Sequence, residues 1–303
     1  MGTSWPRAVA FSASSFAVVV ATGCSLLVDT GSLAGDEPTP DAAIDARASA
    51  DGDPPGDGGF VADARVDAEE GGGSAAICPS FAVFCDDFER GDLTKWSMVQ
   101  TSSNGAATAA GPTSGIQNPW AGAYSLRVFG GMNASVDGGT PPINLANVRA
   151  SVPPVLSGNV FIRFYVFLPK VLLPGSSLAK LAHQNDTVAK DDINLRIAAS
   201  DGVNRYRINT DNAVANDSDH DSTAILPIAK WTCLELEIQL ASAGHYSLWA
   251  DGKLVIDAAE NTIGTQGVPY DQLRVGFSYS PGAAAQEVFF DDVAYATQKI
   301  GCE

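Results

Sequence analysis

Basic residues are scarce in this chain of 303 residues, which has 18 Lys and Arg against 35 Asp and Glu and a formal net charge of −17. This excess of negative charge disfavours nucleic acid, whose phosphates it would repel, and it disfavours a polybasic membrane patch. No apolar run reaches the roughly 20 residues that a membrane-spanning helix needs. Histidine occurs only three times, which leaves few groups for acid–base chemistry near neutral pH. The composition therefore predicts neither a nucleic-acid-binding protein nor an integral membrane protein.

The first residues have the features of an export signal. Arg7 precedes a short apolar stretch over 8–20, and the run Val-Ala-Thr-Gly leads into Cys24. Small residues before a cysteine resemble the bacterial lipobox, although Ala21 stands where Leu is usual. We therefore predict a lipoprotein signal peptide over 1–23, a lipid on Cys24, and a location in the bacterial cell envelope, facing the periplasm or the exterior. The alternative is an ordinary secretory signal.

Residues 24–77 combine low hydrophobicity with high negative charge. Twelve Asp or Glu and two Arg give this segment a net charge of −10. Such a composition buries too little apolar surface to offset the entropy lost on ordering, and like charges keep the chain extended. We predict a disordered tether that carries the folded domain 78–303, whose own net charge is −8. The membrane would then be contacted through the lipid anchor only.

The segment 78–303 has the alternating pattern of antiparallel β-strands. In 192–198 and 231–240, apolar residues alternate with polar ones, which predicts strands with one buried face. The aromatic and β-branched run 161–168 ends at a proline, and Asp251-Gly252 predicts a hairpin turn. Further strands are predicted at 123–129, 204–209, 246–250, 254–256, 273–279 and 287–295. We predict an all-β domain of two antiparallel sheets packed as a jelly-roll sandwich.

Three segments resemble concanavalin A-like glucanase and lectin domains, including laminin-G-like domains. They are the opening strand and turn at 85–96 (Cys-Asp-Asp-Phe-Glu-Arg-Gly-Asp-Leu-Thr-Lys-Trp), the hairpin at 231–255, and the closing strand at 289–295 (Phe-Phe-Asp-Asp-Val-Ala-Tyr). They occur in the order of that family and cover most of 78–303. The resemblance implies a jelly roll whose first and last strands are neighbours. It does not decide function, because this fold hosts lectins, hydrolases, lyases and adhesive modules.

The paired carboxylates of the glucanase branch are missing. The nearest match to Glu-x-Asp-x-x-Glu or Glu-x-Asp-x-Glu is Glu235-Leu-Glu237-Ile-Gln239, which ends in Gln, so hydrolase chemistry is disfavoured. A lyase would need a base and a group that neutralises a uronate, and side chains of those types are present at His183, Gln184, Asn185, Arg205, Tyr206 and Arg207. We predict a non-catalytic glycan-binding or adhesive domain for a polysaccharide or cell-surface glycan. The alternative is a polysaccharide-degrading enzyme, a lyase rather than a hydrolase.

Polar residues opposite the predicted core define a candidate ligand surface. If the strands at 161–168, 192–198 and 231–240 share one sheet, their polar side chains line its outer, concave face, where this fold usually binds glycans. The predicted ligand-binding residues are Arg163, Tyr165, Asn194, Arg196, Glu235, Glu237 and Gln239. Tyr165, Tyr206, Trp120 or Trp249 would supply an aromatic plate for a sugar ring. The alternative is an ordinary solvated face.

The resemblance also implies a structural Ca²⁺ that joins the two ends of the domain. Asp291 matches the carboxylate on the closing strand, while Glu89 in the opening region and Gly122 would supply further oxygens. Water would complete the six to eight ligands that calcium takes. The alternative is a charged pair at a strand edge.

Four cysteines besides Cys24 predict two disulfides in an exported domain. An extended segment between Cys78 and Cys85 would hold those two residues about 20 Å apart. Because the resemblance places the first and last strands side by side, we predict the pairs Cys78–Cys302 and Cys85–Cys233.

Overall fold

The computed structural model describes residues 78–102, 104–112, 118–133, 142–184, 191–211, 217–264 and 267–302. The predicted signal peptide, Cys24 and the tether lie outside the described residues. Fifteen strands make up the described part: β1 Phe84–Asp86, β2 Met98–Thr101, β3 Gly105–Ala110, β4 Ser125–Gly130, β5 Asn144–Val155, β6 Gly158–Phe167, β7 Ser177–Ala182, β8 Asp192–Ser200, β9 Val203–Asp211, β10 Ser218–Leu226, β11 Trp231–Leu240, β12 Gly244–Ala250, β13 Lys253–Glu260, β14 Tyr270–Ser280 and β15 Gln286–Ala296. Within these ranges, no helix is long and apolar enough to cross a membrane.

Two antiparallel sheets pack face to face, as predicted. Sheet A has the order β13-β12-β11-β6-β15-β4-β3, with β1 paired to β15, and sheet B has the order β10-β9-β8-β7-β14-β5-β2. The first strand is antiparallel to the last, with Cys85 opposite Ala294. The expected adjacency of the first and last strands is confirmed.

Alternating apolar residues from both sheets form the core between them. Sheet A contributes Ile162, Phe164 and Val166 from β6, and sheet B contributes Ile193, Leu195 and Ile197 from β8; all are fully buried. The alternation therefore favours a two-sheet sandwich, because each strand buries one row of side chains between the sheets and directs the other row outward. The outer rows of the two sheets lie on opposite sides of the domain.

The disulfide pairing predicted from the sequence is wrong. The bridges join Cys78 to Cys85 and Cys233 to Cys302. Residues 79–82 form a turn, in which the amide of residue 82 donates to the carbonyl of residue 79 at 2.8 Å. This turn replaces the expected extended segment and brings the first pair of Cα atoms to 5.6 Å.

The second bridge forms because the chain after β15 turns back across sheet A. The Glu235 carboxylate on β11 accepts the N–H groups of Ile300 and Gly301 at 2.6 and 3.1 Å. These bonds bring Cys302 to Cys233, with the two Cα atoms 5.8 Å apart. The two disulfides are typical of proteins that fold outside the reducing cytoplasm.

Candidate functional site

The predicted ligand-binding residues do not form one surface. Asn194 and Arg196 lie on β8 in sheet B, whereas the others lie on β6 and β11 in sheet A: Arg163, Tyr165, Glu235, Glu237 and Gln239. The outer faces of the two sheets point in opposite directions, so the condition that the three strands share one sheet is not met. Alternation shows which side chains oppose the core, but it does not show which sheet a strand joins.

Other parts of the chain cover several of the predicted ligand residues on the outer face of sheet A. Trp120 stacks on Tyr165, with ring centroids 4.4 Å apart and planes 13° apart. Glu235, only 1% exposed, binds the tail that leads to the second disulfide. Arg163 is also buried and donates to the Asp292 carbonyl at 3.3 Å. These three predicted ligand residues have structural partners, and a longer row of aligned polar side chains lies on sheet B.

The outer face of sheet B carries a row of cationic and amide side chains. Arg149 on β5 lies opposite Arg274 on β14, which lies opposite Lys180 on β7; Lys180 lies opposite Asn194, and Asn194 opposite Asn209 on β9. Core residues flank Arg274 on both sides in the sequence, so its side chain faces outward. Four strand spacings make this row about 19 Å long. A row of this length suits an extended ligand better than a single ring.

A second row lies beside the first. It contains Gln100 opposite Asn147, and, further along the sheet, Arg196 opposite Arg207 and Arg207 opposite Asp221. We call the two rows, together with Gln272, the polar face. Its members are Gln100, Asn147, Arg149, Lys180, Asn194, Arg196, Arg207, Asn209, Asp221, Gln272 and Arg274.

Amide oxygens orient the two arginines on the central strands. Arg274 donates its Nε–H to Gln272 Oε1 at 2.6 Å, and Arg149 donates its Nε–H to Asn147 Oδ1 at 3.3 Å. Arg149 also bonds to Gln100. Both arginine residues are buried. A guanidinium fixed in this way keeps its planar fork of N–H groups in one orientation, which favours two-pronged binding of a carboxylate.

Carboxylates neutralise the cations toward the β10 edge of the polar face. Lys180 pairs with Asp192, and Arg196 lies 3.6 Å from Asp211. Arg207 contacts the carboxylates of Asp219 and Asp221 at 2.6 and 2.5 Å. Burial raises the pKa of Asp192, and the Lys180 charge partly offsets that rise. These ion pairs place negative charge among the cations on this part of the polar face.

Tyr279 places an aromatic ring beside the polar face. The Arg196 guanidinium lies 5.5 Å from the centre of that ring. The same part of sheet B has a pocket lined by Pro174, Gly175, Ile197, Ala198, Arg205, Arg207 and Asp221. The candidate site therefore combines guanidinium groups, amides, one phenol and a concave pocket, which is the mixture expected of a site for a polar ligand.

The side chains considered for a lyase base are buried. His183 stacks on Tyr270 with ring centroids 4.6 Å apart, and its Nδ1 lies 2.6 Å from the Pro269 carbonyl. Its Nε2 lies 3.6 Å from the fully buried Asp191 carboxylate. Tyr206 faces the core, and burial raises its pKa. Asn185 lies outside the described residues.

The three residues predicted to bind calcium meet at the segment 120–124. Asp291 Oδ2 accepts the N–H of Trp120 at 2.9 Å, and Glu89 accepts the N–H of Ala123 at 2.8 and 2.9 Å through its two oxygens. A side chain at Gly122 (φ 62°) would collide with the Glu89 carboxylate. The Asp291 and Glu89 carboxylates therefore hold the loop against the first and last strands.

As placed, these residues do not form a calcium shell. The carboxylate oxygens face backbone N–H groups, and the described residues include no group of three or more His, Cys, Asp or Glu arranged to hold a metal. Calcium stays a prediction. Thermal denaturation of the full chain tests it: the midpoint should rise when Ca²⁺ replaces chelator, and an unchanged midpoint would remove the site.

Asp291 should make stability depend on pH in the presence of chelator. Burial and the negative charge of Asp292 raise its pKa to about 8, although backbone N–H groups lower it in part. The folded protein then binds more protons than the unfolded chain from about pH 4 to 8, so the free energy of unfolding should fall as pH rises through this window. Denaturant titrations of wild type and Asp291→Asn check this. The substitution should flatten the slope, and identical slopes would contradict the assignment.

Sequence reasoning missed the central part of the polar face. The sequence pattern does not indicate strands β5 and β7, which carry Arg149 and Lys180. It indicates the strand 273–279 but does not single out Arg274 as a ligand-binding residue. A usable signal exists: Asn147 and Arg149, like Gln272 and Arg274, are two residues apart with an apolar residue between them.

Comparison with solved structures finds similar structures among polysaccharide lyases and in a cellulose-induced protein. The endo-β-1,4-glucuronan lyase of the fungus Trichoderma reesei matches with a TM-score of 0.55 and 16% identity over 72% of this chain and 96% of its own. The cellulose-induced protein Cip1 matches with a TM-score of 0.50 and 18% identity over 73% of this chain and all of its own. An alginate lyase from Chlorella virus has a TM-score of 0.48 and 11% identity, covering 71% of this chain and 99% of the lyase.

The TM-scores of the first two matches show that this chain shares their β-sandwich fold. No protein-family model matches the chain, and a search of curated proteins finds no match.

Proposed function

We propose that the domain binds a polysaccharide that carries carboxylates, and that it does so on the polar face of sheet B. The observation that carries this proposal is the aligned row of Arg149, Arg274, Lys180 and Asn194 on four adjacent strands. Guanidinium and amide groups at successive strand spacings suit a chain of sugars with regularly spaced carboxylates and hydroxyls. The likeness to a glucuronan lyase supports this ligand class, because a glucuronan is a polymer of uronic acid.

The charge of the whole domain sets a condition on this binding. The net charge of 78–303 is −8, so a polyanion is repelled at long range. At physiological salt that repulsion is screened beyond roughly 8 Å. Short guanidinium–carboxylate contacts act within that distance, and charge-assisted hydrogen bonds contribute about 1.5–3 kcal/mol each. Affinity should therefore come from a few local contacts rather than from steering.

Lyase activity is the second candidate. One observation favours it: the Tyr279 phenol ring lies beside Arg196 on the polar face, so a phenol able to exchange a proton and a group able to neutralise a carboxylate are neighbours. Incubating the full chain with polyglucuronate separates the two functions. Retention of the polymer without new ultraviolet absorbance from unsaturated uronate supports binding alone, whereas a growing absorbance shows a lyase. If the polymer is neither retained nor cleaved, both candidate functions are contradicted.

We also propose that Cys24 anchors the protein to the cell envelope. Replacing Cys24 by Ala should move the protein from the membrane fraction to the aqueous fraction, because the several acyl chains of a bacterial lipoprotein bind firmly whereas the protein without them has no anchor. Fractionation and intact mass of wild type and Cys24→Ala check this, with Ser25→Ala as the control. A wild-type mass without lipid would overturn the anchor.

A further inference from the structure

Trp120 is exposed yet held in a fixed position on sheet A. One side of its indole stacks on the buried Tyr165 ring, while the residue stays 45% exposed. Its backbone N–H donates to the buried Asp291 carboxylate at 2.9 Å, and the N–H of Ala121 donates to the same oxygen at 3.4 Å. An aromatic ring immobilised before binding loses little conformational entropy when a ligand packs on it.

Polar groups lie beside β11, the strand that pairs with the strand of Tyr165. Trp231 donates its indole N–H to the Asn118 carbonyl at 3.0 Å, which ties β11 to the segment that carries Trp120. Asp251 accepts the N–H of Cys233, the residue opposite Tyr165, and also pairs with Lys230 at 2.9 Å. The Lys230 and Asp251 side chains are well exposed, so a donor and an acceptor of cancelling charge lie next to β11, on the side of the residue opposite Tyr165.

We infer that Trp120, stacked on Tyr165 and with the exposed pair Lys230–Asp251 next to β11, is a second carbohydrate site, and that it takes an uncharged sugar. A flat apolar ring packs against the C–H face of a pyranose, while the exposed ammonium and carboxylate groups donate to and accept from its hydroxyls. A single exposed indole is too small for the roughly 800 Å² that a stable protein interface buries on each partner. This site lies on the opposite side of the sandwich from the polar face and does not rest on its proposed function.

Titration of the full chain with neutral oligosaccharides tests the inference. Cellohexaose, xylohexaose and mannohexaose are added one at a time, and tryptophan fluorescence and calorimetry are recorded. At least one should bind saturably to wild type, and Trp120→Ala should weaken that binding about ten-fold or more, which corresponds to about 1.4 kcal/mol. Trp120→Leu, which keeps apolar contact with Tyr165 but has no ring plane, should show the same loss if the alanine variant is unstable.

Two control variants assign the loss to this site. Phe81→Ala removes another exposed aromatic ring, and Arg274→Ala disrupts the polar face; both should bind the neutral sugar as wild type does. Three results would each overturn the inference: no binding of any of the three hexasaccharides, unchanged binding by both Trp120 variants, or an equal loss in Arg274→Ala. A failure to bind polyglucuronate would contradict the proposed function of the polar face and would leave the Trp120 site unaffected.

Discussion

Replacing Arg149 and Arg274 together by alanine should weaken the binding of polyglucuronate by 100-fold or more. Each guanidinium is oriented by a neighbouring amide oxygen on the central strands of sheet B. Loss of two charge-assisted contacts of about 1.5–3 kcal/mol each exceeds the roughly 2.7 kcal/mol that a 100-fold change requires. Isothermal titration calorimetry at one fixed salt concentration measures the change.

Arg127 provides the matched control for this experiment. It lies on β4 in sheet A and pairs with Glu287 at 2.6 Å. Arg127→Ala removes one positive charge from the opposite side of the domain and should leave polyglucuronate affinity unchanged. Arg274→Lys should fall between wild type and alanine, because lysine keeps the charge but loses the planar fork. If a folded double variant bound as tightly as wild type, the polar face would not be the binding surface.

Removing the Cys233–Cys302 bridge should lower stability by about 4 kcal/mol in the chain-entropy model, because its ends lie 69 residues apart in sequence. The bridge also fixes the tail that covers Glu235 on the outer face of sheet A. Urea denaturation of Cys233→Ser/Cys302→Ser against wild type measures the loss.

The other disulfide is the control within the same chain. Its ends lie only seven residues apart, so Cys78→Ser/Cys85→Ser should cost about 2 kcal/mol. The order of the two losses is the test. If removing the short bridge cost as much as removing the long one, constraint of the unfolded chain would not explain their contributions.

The strands with strict alternation could be predicted from the sequence. The predicted strand 231–240 coincides with β11, and 192–198 lies within β8. Strands of small or polar residues give no such signal: β3 reads Gly-Ala-Ala-Thr-Ala-Ala, and β10 carries charged side chains along the edge of sheet B. Neighbouring strands, rather than their own sequences, determine these elements.

The sequence does not show which sheet a strand joins, and the predicted ligand residues therefore lie on two different sheets. Glu235 and Arg196 both alternate with core residues, yet one lies beneath the chain's own tail and the other lies on the polar face. The predicted disulfide pairing is wrong for a related reason. A turn of four residues sets the first bridge, and the tail that returns across sheet A sets the second. Long-range pairing and chain reversal leave little trace in local periodicity.

A crystal structure of the full chain with a polyglucuronate hexasaccharide would test the central proposal most directly. The sugar chain should lie across β5, β14, β7 and β8 in sheet B, with its carboxylates against Arg149 and Arg274. A hexasaccharide bound instead to the outer face of sheet A, or crystals that stay free of sugar at saturating concentration, would contradict it.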